Sequence, residues 1–399
     1  MPVVATAAVR AFCSFLSDKD ALGHMGAAGN LRRALQERGT GLSAGMVLLL
    51  ESVCACMERS KCASGGDGGN LVGTGVYSGG ADAFELFISN GGNTGMYCAL
   101  GRALVSAWPA MKPWGEQGWS LLDVGTGSGL GLAPALALGG RSGCGISAPT
   151  SLTLVEPSPE MLRAGLDRIR PVFASCPAKT LEYFPLTLQD FQGLHHDRKW
   201  DVCQATFSLQ SLRPKERSQA LHWLASRCDH FLLVEFDVPA IVCDRTSTVR
   251  ARAPERVAAL LEAYARGAAE YLPAAQQPGG SSGKLRRKEC KRVVEGFLVP
   301  MLLSCFGTVV PESDEGAGSD DAPHTSGDDS SSGNTGSGSS GATTVVNYEQ
   351  PMSSWVKEVQ AAGFTDVQTA PIFNYWWAPA FLIRAKGAAR PPTTMASLL

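Results

Sequence analysis

The sequence predicts an α/β fold built on a doubly wound parallel sheet. Five short apolar segments alternate with helical segments between residues 119 and 240, and each segment is nearly continuous in hydrophobic residues. Strands that are buried on both faces have such continuous apolar sequences, because helices cover both sides of a parallel sheet. A glycine-rich stretch directly after the first segment, LLDVGTGSGLGL (121–132), indicates a turn where the backbone passes close to a ligand.

The strands and helices of this core follow from hydrophobic periodicity. The predicted strands are SLLDV, SLTLVEP, FPLTLQDF, WDVCQATFSL and HFLLVEFDV, and the predicted helices are LGLAPALALGG, SPEMLRAGLDRIR and PKERSQALHWLASRC. Further along, SSWVKEVQAAGF predicts a helix that ends at Gly363, and TDVQTAPIF and APAFLIRAK predict two strands joined through NYWW. These last two strands complete the sheet as a hairpin.

Helical patterns precede and interrupt the core. The segment APERVAALLEAYARGAAEYL predicts an amphipathic helix, and KLRRKECKRVVEGFLVPMLLSCF predicts a second one that bends at Pro300. The chain therefore divides into a helical cap (1–118), the first part of the core (119–243), a helical lid insertion (244–310), an acidic loop (311–344), the end of the core (345–386) and a tail (387–399).

Composition limits the function classes. The 399 residues carry a net charge of −2, which gives no general attraction to nucleic acid or to an anionic membrane. Seven acidic residues and no Lys or Arg lie between Pro311 and Thr344, so we expect this Gly/Ser-rich loop to be disordered. The 12 cysteines are scattered without a CxxC pair, which predicts a reducing, cytoplasmic environment and no metal site. The N-terminal MPVVATAAVRAFCSFL fits a buried helix or an organelle-targeting segment.

The spacing of the glycine stretch excludes two kinds of phosphate site. A dinucleotide loop needs G-x-G-x-x-G, but Leu130 and Leu132 stand where the third glycine is required. A P-loop needs Gly-Lys-Ser/Thr, which is missing. The remaining pattern is Asp-x-Gly-x-Gly-x-Gly, and Asp123 places a carboxylate where a phosphate site avoids one. This arrangement favours a ligand that carries positive charge.

With these residues, the chain resembles the class I S-adenosylmethionine-dependent methyltransferases, small-molecule type. LLDVGTGSG, LTLVEPSPEML, TLQDF and WDVCQATFSLQSL are similar to the first four motifs of that family. The resemblance implies a Rossmann-like, doubly wound, seven-stranded sheet with a C-terminal antiparallel hairpin. The order of cap, core and late insertions also resembles the histamine N-methyltransferase branch.

The resemblance implies which residues hold S-adenosylmethionine. Glu156, followed by Pro157, would accept the ribose hydroxyls, Gln189 or Asp190 would meet the adenine amino group, and Phe191 would pack on the ring. The glycine turn and the end of the fourth strand supply the remaining cofactor contacts, namely Asp123, Gly125, Thr126, Gly127, Ser128, Gly129 and Thr206.

The sequence says less about the residues that contact the methyl acceptor. FSLQS replaces the Asn/Asp-Pro-Pro-Tyr/Phe motif of enzymes that methylate bases or glutamine, which argues against those acceptors. Glu235 and Asp237 alternate around Phe236, so both face one side and are candidates for a general base; capping a loop or pairing with a lid arginine is the structural alternative. Aromatic and amide side chains near the predicted pocket are candidate acceptor contacts, namely Tyr77, Asn93, Tyr97, Gln210, Tyr375 and Trp376.

The expected function is methyl transfer to N or O of a small molecule by direct in-line displacement. Two alternatives stay open: a non-catalytic methyltransferase-like module that binds the cofactor or a partner, and a protein or tRNA methyltransferase. We expect neither a membrane nor a nucleic-acid partner.

Overall fold

A computed structural model describes the parts of the chain that build the fold. These are residues 42–62, 81–109, 118–140, 148–174, 180–243, 253–272, 287–306 and 348–388, with isolated positions between residues 10 and 35. The predicted acidic loop 311–344, Tyr77 and all but the first two residues of the predicted tail lie outside the described residues.

Seven strands form one mixed sheet in the described residues, in the order β3-β2-β1-β4-β5-β7-β6. The first five strands run parallel, and β7 pairs antiparallel with both β5 and β6. This confirms the predicted Rossmann-like sheet with its C-terminal hairpin. The strands are β1 Ser120–Val124, β2 Ser151–Val155, β3 Thr180–Phe184, β4 Trp200–Thr206, β5 Cys228–Phe236, β6 Thr365–Asn374 and β7 Pro379–Lys386.

The described helices flank this sheet and cap it. They are α1 Ala44–Cys62, α2 Ala81–Ile88, α3 Gly92–Ala107, α4 Leu132–Gly139, α5 Pro159–Phe173, α6 Leu188–Leu194, α7 Pro214–Arg227, α8 Ala240–Cys243, α9 Pro254–Ala269, α10 Arg287–Val293, α11 Val299–Ser304 and α12 Met352–Ala361. A short 3-10 turn, Leu209–Ser211, follows β4.

Alternate residues of the strands bury against helices on opposite sides of the sheet. Leu122 and Val124 of β1 lie in one apolar cluster with residues of α6, α7 and α12. Leu121, their neighbour in sequence, lies in a second cluster with residues of α3, α4 and α5. Because successive side chains of a strand point to opposite faces, a short, fully apolar strand satisfies both layers at once.

The predicted third strand, FPLTLQDF, is wrong in position. The strand is Thr180–Phe184, and Leu188–Leu194 forms α6 instead. Thr187 begins this helix: its hydroxyl oxygen accepts the Asp190 backbone N–H at 3.1 Å, and its hydroxyl donates to the Asp190 carboxylate at 2.7 Å. This side-chain cap satisfies a free backbone donor at the helix start, and the apolar run through residues 184–188 conceals it.

The N-terminal helices and the lid insertion share one apolar core. A single cluster contains residues from α1 and α2, from α9, and from the stretch between α10 and Phe306. Gly45 of α1 lies so close to α9 that a Cβ at this position would stand 2.1 Å from the Ala265 carbonyl oxygen. Cap and lid, which the sequence places about 200 residues apart, therefore pack as one layer over the sheet.

The second lid helix, for which the sequence predicts a bend at Pro300, is irregular one turn before that proline. Residues Val294–Leu298 form a π turn between α10 and α11, and Pro300 follows it. A proline ring clashes with the carbonyl four residues earlier, which here belongs to Gly296. The wider turn at this point makes room for the ring.

Among the helices that the structure describes, none combines the length and the apolar character that a bilayer crossing requires.

Candidate active site

A cavity of about 350 Å³ lies at the carboxyl ends of the central strands. The turns after β1, β2 and β4 form its floor, and Ile88 of α2 and Tyr97 of α3 line it from the cap. Ligands bind to open α/β sheets at this edge, where the direction of chain connections reverses. The cavity is therefore the candidate site for cofactor and acceptor.

The turn after β1 requires glycine at two crowded positions. Gly125 has a φ of +68°, and a Cβ on it would stand 2.3 Å from the Cβ of Ser208. Gly129 has a φ of +76°, and its Cβ would meet the Gly165 backbone of α5 at 3.1 Å. The turn passes tightly between β4 and α5, and its residues Gly125, Thr126, Gly127 and Ser128 line the cavity.

Glu156 braces this turn from the end of β2. One carboxylate oxygen accepts the backbone N–H of Gly127 at 2.9 Å, and the other accepts the N–H of Ser158 at 3.0 Å. Burial raises the pKa of Glu156, and the two backbone donors oppose that rise. Each carboxylate oxygen can accept a further hydrogen bond, and Glu156 and Pro157 both line the cavity.

Asp123 lies beneath the turn and is 1% exposed. Its carboxylate accepts a hydrogen bond from the Gln204 side-chain amide on β4 at 3.0 Å. Burial raises its pKa to about 6, against the opposing effects of the Gln204 and Thr126 hydrogen bonds, so most of the group is ionised at pH 7. The described cavity lining does not include Asp123, and its negative charge acts on the site from below.

The turn after β3 brings only part of the third motif to the cavity. Thr187, Leu188 and Gln189 line it. Asp190 is exposed and engaged with Thr187 at the start of α6. Phe191 is 0% exposed and packs in the core, with its ring centroid 5.1 Å from that of Phe184. The helix, absent from the sequence prediction, turns these two side chains away.

The end of β4 contributes Thr206, Phe207, Ser208 and Leu209 to the lining. Phe207 has a φ of +53°, in a region that non-glycine residues rarely adopt. Its N–H donates to the Val234 carbonyl at 2.8 Å, and the hydroxyl of the following Ser208 donates to the Val124 carbonyl at 2.8 Å. These contacts hold the strained turn in place.

Gln210, the predicted acceptor contact of this turn, is not in the described lining. Its carbonyl accepts the N–H of Tyr348 at 2.6 Å, and its own N–H donates to the Glu235 carboxylate at 3.3 Å. The residue joins the end of β4 to the chain that leads into α12.

Glu235 and Asp237 have different partners. Glu235 is 0% exposed, and one of its oxygens accepts the N–H groups of Leu209 and Gln210. The other oxygen has no hydrogen-bond partner among the described residues. Burial is the main cause that raises the pKa of Glu235 to about 8. Asp237 instead accepts the N–H of Met352 at 2.8 Å, at the first residue of α12.

A buried hydrogen-bond network connects two predicted acceptor contacts to each other. The Tyr375 hydroxyl donates to the Asn93 side-chain carbonyl at 2.8 Å, and the Asn93 amide donates to the Tyr271 hydroxyl at 2.9 Å and to the Phe87 carbonyl at 2.8 Å. The network ties α2 and α3 to the end of the lid helix α9 and to the turn between β6 and β7. It also fixes α3, which carries Tyr97 one turn beyond Asn93.

The other predicted acceptor residues divide between cavity and core. Tyr97 lines the cavity, whereas Asn93, Tyr375 and Trp376 are not in its described lining. Trp376 packs against the lid: its ring lies against Gly267, where a Cβ would meet it at 2.8 Å.

Several residues that line the cavity are not among the contacts predicted from the sequence, including Ile88, Leu130, Met161 and Phe207. Phe207 had a usable signal, because it follows the apolar strand CQAT directly and the carboxyl ends of strands bear ligand contacts. Ile88 and Met161 look like ordinary core residues of helices, and only the folded chain shows what they face.

No protein-family model and no curated protein sequence matches the chain.

Solved structures of methyltransferases are similar to the chain at low identity. The trans-methyltransferase CalH in complex with S-adenosylhomocysteine is 12% identical over 96% of this chain and 89% of its own, with a TM-score of 0.43. The magnesium protoporphyrin IX methyltransferase of Synechocystis PCC 6803, with bound S-adenosylmethionine, is 11% identical over 78% of this chain and 92% of its own, with a TM-score of 0.39.

The plantazolicin methyltransferase BpumL, in complex with S-adenosylhomocysteine, is 8% identical over 85% of this chain and 99% of its own, with a TM-score of 0.39. Structural similarities this low do not indicate an activity, and the resemblance to the histamine N-methyltransferase branch stays a prediction. The fold of this chain is defined by its own strand order and by the antiparallel β7.

Proposed function

We propose that the protein transfers a methyl group from S-adenosylmethionine to a nitrogen or oxygen of a small molecule. The observation that carries the proposal is the cavity in which the glycine turn, Glu156 and the end of β4 meet. Parts of all four motifs that suggested the cofactor in the sequence line this cavity, which supports the proposal.

The side chains at this site fit an adenosyl ligand that is cationic and lacks phosphate. Glu156 has acceptor capacity left after its two backbone bonds, which suits a pair of ribose hydroxyls. Glu156 in the lining and Asp123 beneath it give the site acidic character, which favours a sulfonium and an ammonium and opposes a phosphate. Gln189 lines the cavity near the turn after β3 and is our candidate for the adenine amino group.

The proposed reaction is a single displacement. The lone pair of the acceptor nitrogen or oxygen forms a bond to the methyl carbon, the carbon–sulfur bond breaks with its electron pair on sulfur, and a proton of the acceptor leaves to water or a base. S-adenosylmethionine, when bound, supplies a methyl group that is activated by its positive sulfur. The protein contributes alignment of the two reactants and exclusion of water.

A general base at Glu235 or Asp237 remains a prediction. A carboxyl group with a pKa of about 8 is mostly protonated at pH 7, and Asp237 is occupied by the start of α12. Glu235→Gln and Asp237→Asn test the role directly. Loss of kcat with an unchanged KM, and loss of the acidic limb of the pH profile, support a base; unchanged kcat in both variants contradicts it.

Calorimetry on the full chain tests the cofactor. We expect S-adenosylmethionine and S-adenosylhomocysteine to bind, and ATP and NAD to bind far more weakly because no part of the turn fits their phosphates. Glu156→Gln should weaken S-adenosylhomocysteine at least about tenfold, since one acceptor oxygen becomes a donor that faces a backbone N–H and can no longer accept a ribose hydroxyl. Glu160→Gln, an exposed carboxyl in the first turn of α5, is the matched control and should change nothing. Failure of both adenosyl ligands to bind contradicts the proposal.

Coverage of the cavity by the cap supports a small acceptor. Ile88 and Tyr97 line the cavity from α2 and α3, so the cap forms part of the cavity wall and limits the space for an acceptor. Tritiated S-adenosylmethionine added to an extract with the protein should label small molecules. Label in protein or RNA supports the macromolecular alternative, and cofactor binding without any transfer supports the non-catalytic one.

A further inference from the structure

The part of the cavity that faces the cap is apolar. Ile88, Tyr97, Leu130 and Phe207 line it and also pack in or against the core that cap and lid share. Among the described lining residues, Glu156 and Tyr97 are the ionisable ones, and no Lys, Arg or His occurs. An anionic acceptor would leave water for this surface without a basic side chain among the described lining residues to pair with it, which is costly.

Phe207 presents a rigid aromatic ring at this end. Its ring stacks on Phe236 with centroids 4.5 Å apart and an angle of 19°, and Phe236 stacks on Tyr375 at 5.5 Å and 20°. Tyr375 is fixed in turn by its hydrogen bond to Asn93. Three rings therefore form a ladder that begins at the cavity and ends in the buried network.

The backbone of Phe207 is strained at the same point. A φ of +53° in a non-glycine residue is unfavourable, and such strain persists where the surroundings hold it and is concentrated at ligand sites. Glycine would relax this turn, but the residue at this position is a phenylalanine that lines the cavity.

Resting on the proposed methyl transfer, we infer that the acceptor is an uncharged aromatic molecule that packs on Phe207 on the cap side of the cavity. Phe207 is then a specificity-determining residue. Tyr97, held by α3, lines the same end of the cavity and adds a second aromatic residue to it.

Calorimetry on the full chain saturated with S-adenosylhomocysteine tests the inference. The probes are naphthol, which is uncharged, and naphthoate, which has the same rings and a negative charge. We expect naphthol to bind at least about tenfold more tightly. Equal binding of the two probes, or tighter binding of naphthoate, overturns the inference and needs no variant.

A pair of variants isolates the ring of Phe207. Phe207→Leu keeps a large apolar side chain at the strained position and removes the aromatic face, so naphthol should weaken about tenfold while S-adenosylhomocysteine still binds. Tyr183→Leu, an aromatic residue on the edge strand β3 that is 46% exposed, should leave both ligands unchanged.

The outcomes separate this inference from the proposed function. If S-adenosylhomocysteine does not bind, both fail together. If it binds, but naphthol shows no preference over naphthoate or is indifferent to Phe207→Leu, the acceptor class alone is overturned.

Discussion

Glu235 should make the protein less stable as the pH rises from about 4.5 to about 8. Burial raises the pKa of this carboxyl from its ordinary 4.5 to about 8 in the folded state. Between those two values the unfolded chain has released the proton and the folded chain still holds it. Stability falls with pH wherever the folded state binds more protons, so the loss begins near pH 4.5 and is complete above pH 8.

The size of the effect follows from the two pKa values. At 1.36 kcal/mol per pH unit, a rise from 4.5 to about 8 corresponds to a loss of roughly 5 kcal/mol. That is a large part of the 5–15 kcal/mol by which typical domains are stable. Glu235→Gln removes the titration, and its amide oxygen can still accept the N–H groups of Leu209 and Gln210.

Urea unfolding of both proteins at pH 5, 6, 7 and 8 measures the effect. We expect the free energy of unfolding of Glu235→Gln, minus that of the wild type, to grow by several kcal/mol over this range. Burial also raises the pKa of Asp123, to about 6, and this adds its own fall at the acid end. Asp123 is present in both proteins, so the difference between them cancels its contribution.

Parallel stability curves for the two proteins would refute the reasoning, because they would mean that Glu235 has the same proton affinity folded and unfolded. The size of the constant gap between such parallel curves does not matter, since it reports only altered packing. Glu262→Gln, which removes an exposed carboxyl from α9, is the control and should run parallel to the wild type.

Three further substitutions test the site and its supports. Gly125→Ala should destabilise the chain by about 2 kcal/mol or more and weaken the binding of S-adenosylhomocysteine in calorimetry, because its Cβ would stand 2.3 Å from that of Ser208. Adding Ser208→Gly should restore part of the stability and part of the affinity. No recovery of either contradicts the clash. Arg217→Ala should lower the free energy of unfolding in urea by about 3–5 kcal/mol, because its buried guanidinium donates to the Glu358 carboxylate of α12 at 2.8 and 2.9 Å. A loss below about 1 kcal/mol is typical of an exposed ion pair and would contradict this expectation. Tyr375→Phe should lower the free energy of unfolding by about 1–3 kcal/mol, measured by thermal unfolding, because the Asn93 side-chain carbonyl loses its buried donor. An unchanged Tm argues against the network.

Local patterns predicted most of the sheet. Ser120–Val124 appears as the predicted SLLDV, and the other apolar strands agree within a few residues, except the third. Such strands are predictable because burial on both faces demands a continuous apolar run. The third strand failed since the apolar residues of 184–188 belong to a strand end, a turn and a helix start, and the Thr187 cap marks the change.

The sequence predicted many of the cavity residues that lie in turns after strands, but few of those that helices bring to the cavity. Residues 125–128 of the glycine turn, Glu156, Gln189 and Thr206 line the cavity because strand order alone places strand ends together, whereas the predicted contact Gly129 is not in the described lining. Asp190 and Phe191 do not, because a short helix rotates them away. Asn93 and Tyr375 form a hydrogen bond with each other. This contact joins residues 282 positions apart, so no local pattern in the sequence predicts it.

By itself, the sequence determined the α/β class, the course of the sheet and the kind of ligand that its first turn suits, since each depends on neighbours within a few positions. Only the tertiary structure decided that the cap and the lid share one core, that Glu235 is buried with an oxygen left unpaired, and that Phe207 faces the cavity on a ladder of rings. The reason is physical: burial and stacking arise between segments far apart in the chain, and their geometry exists only after the segments have packed.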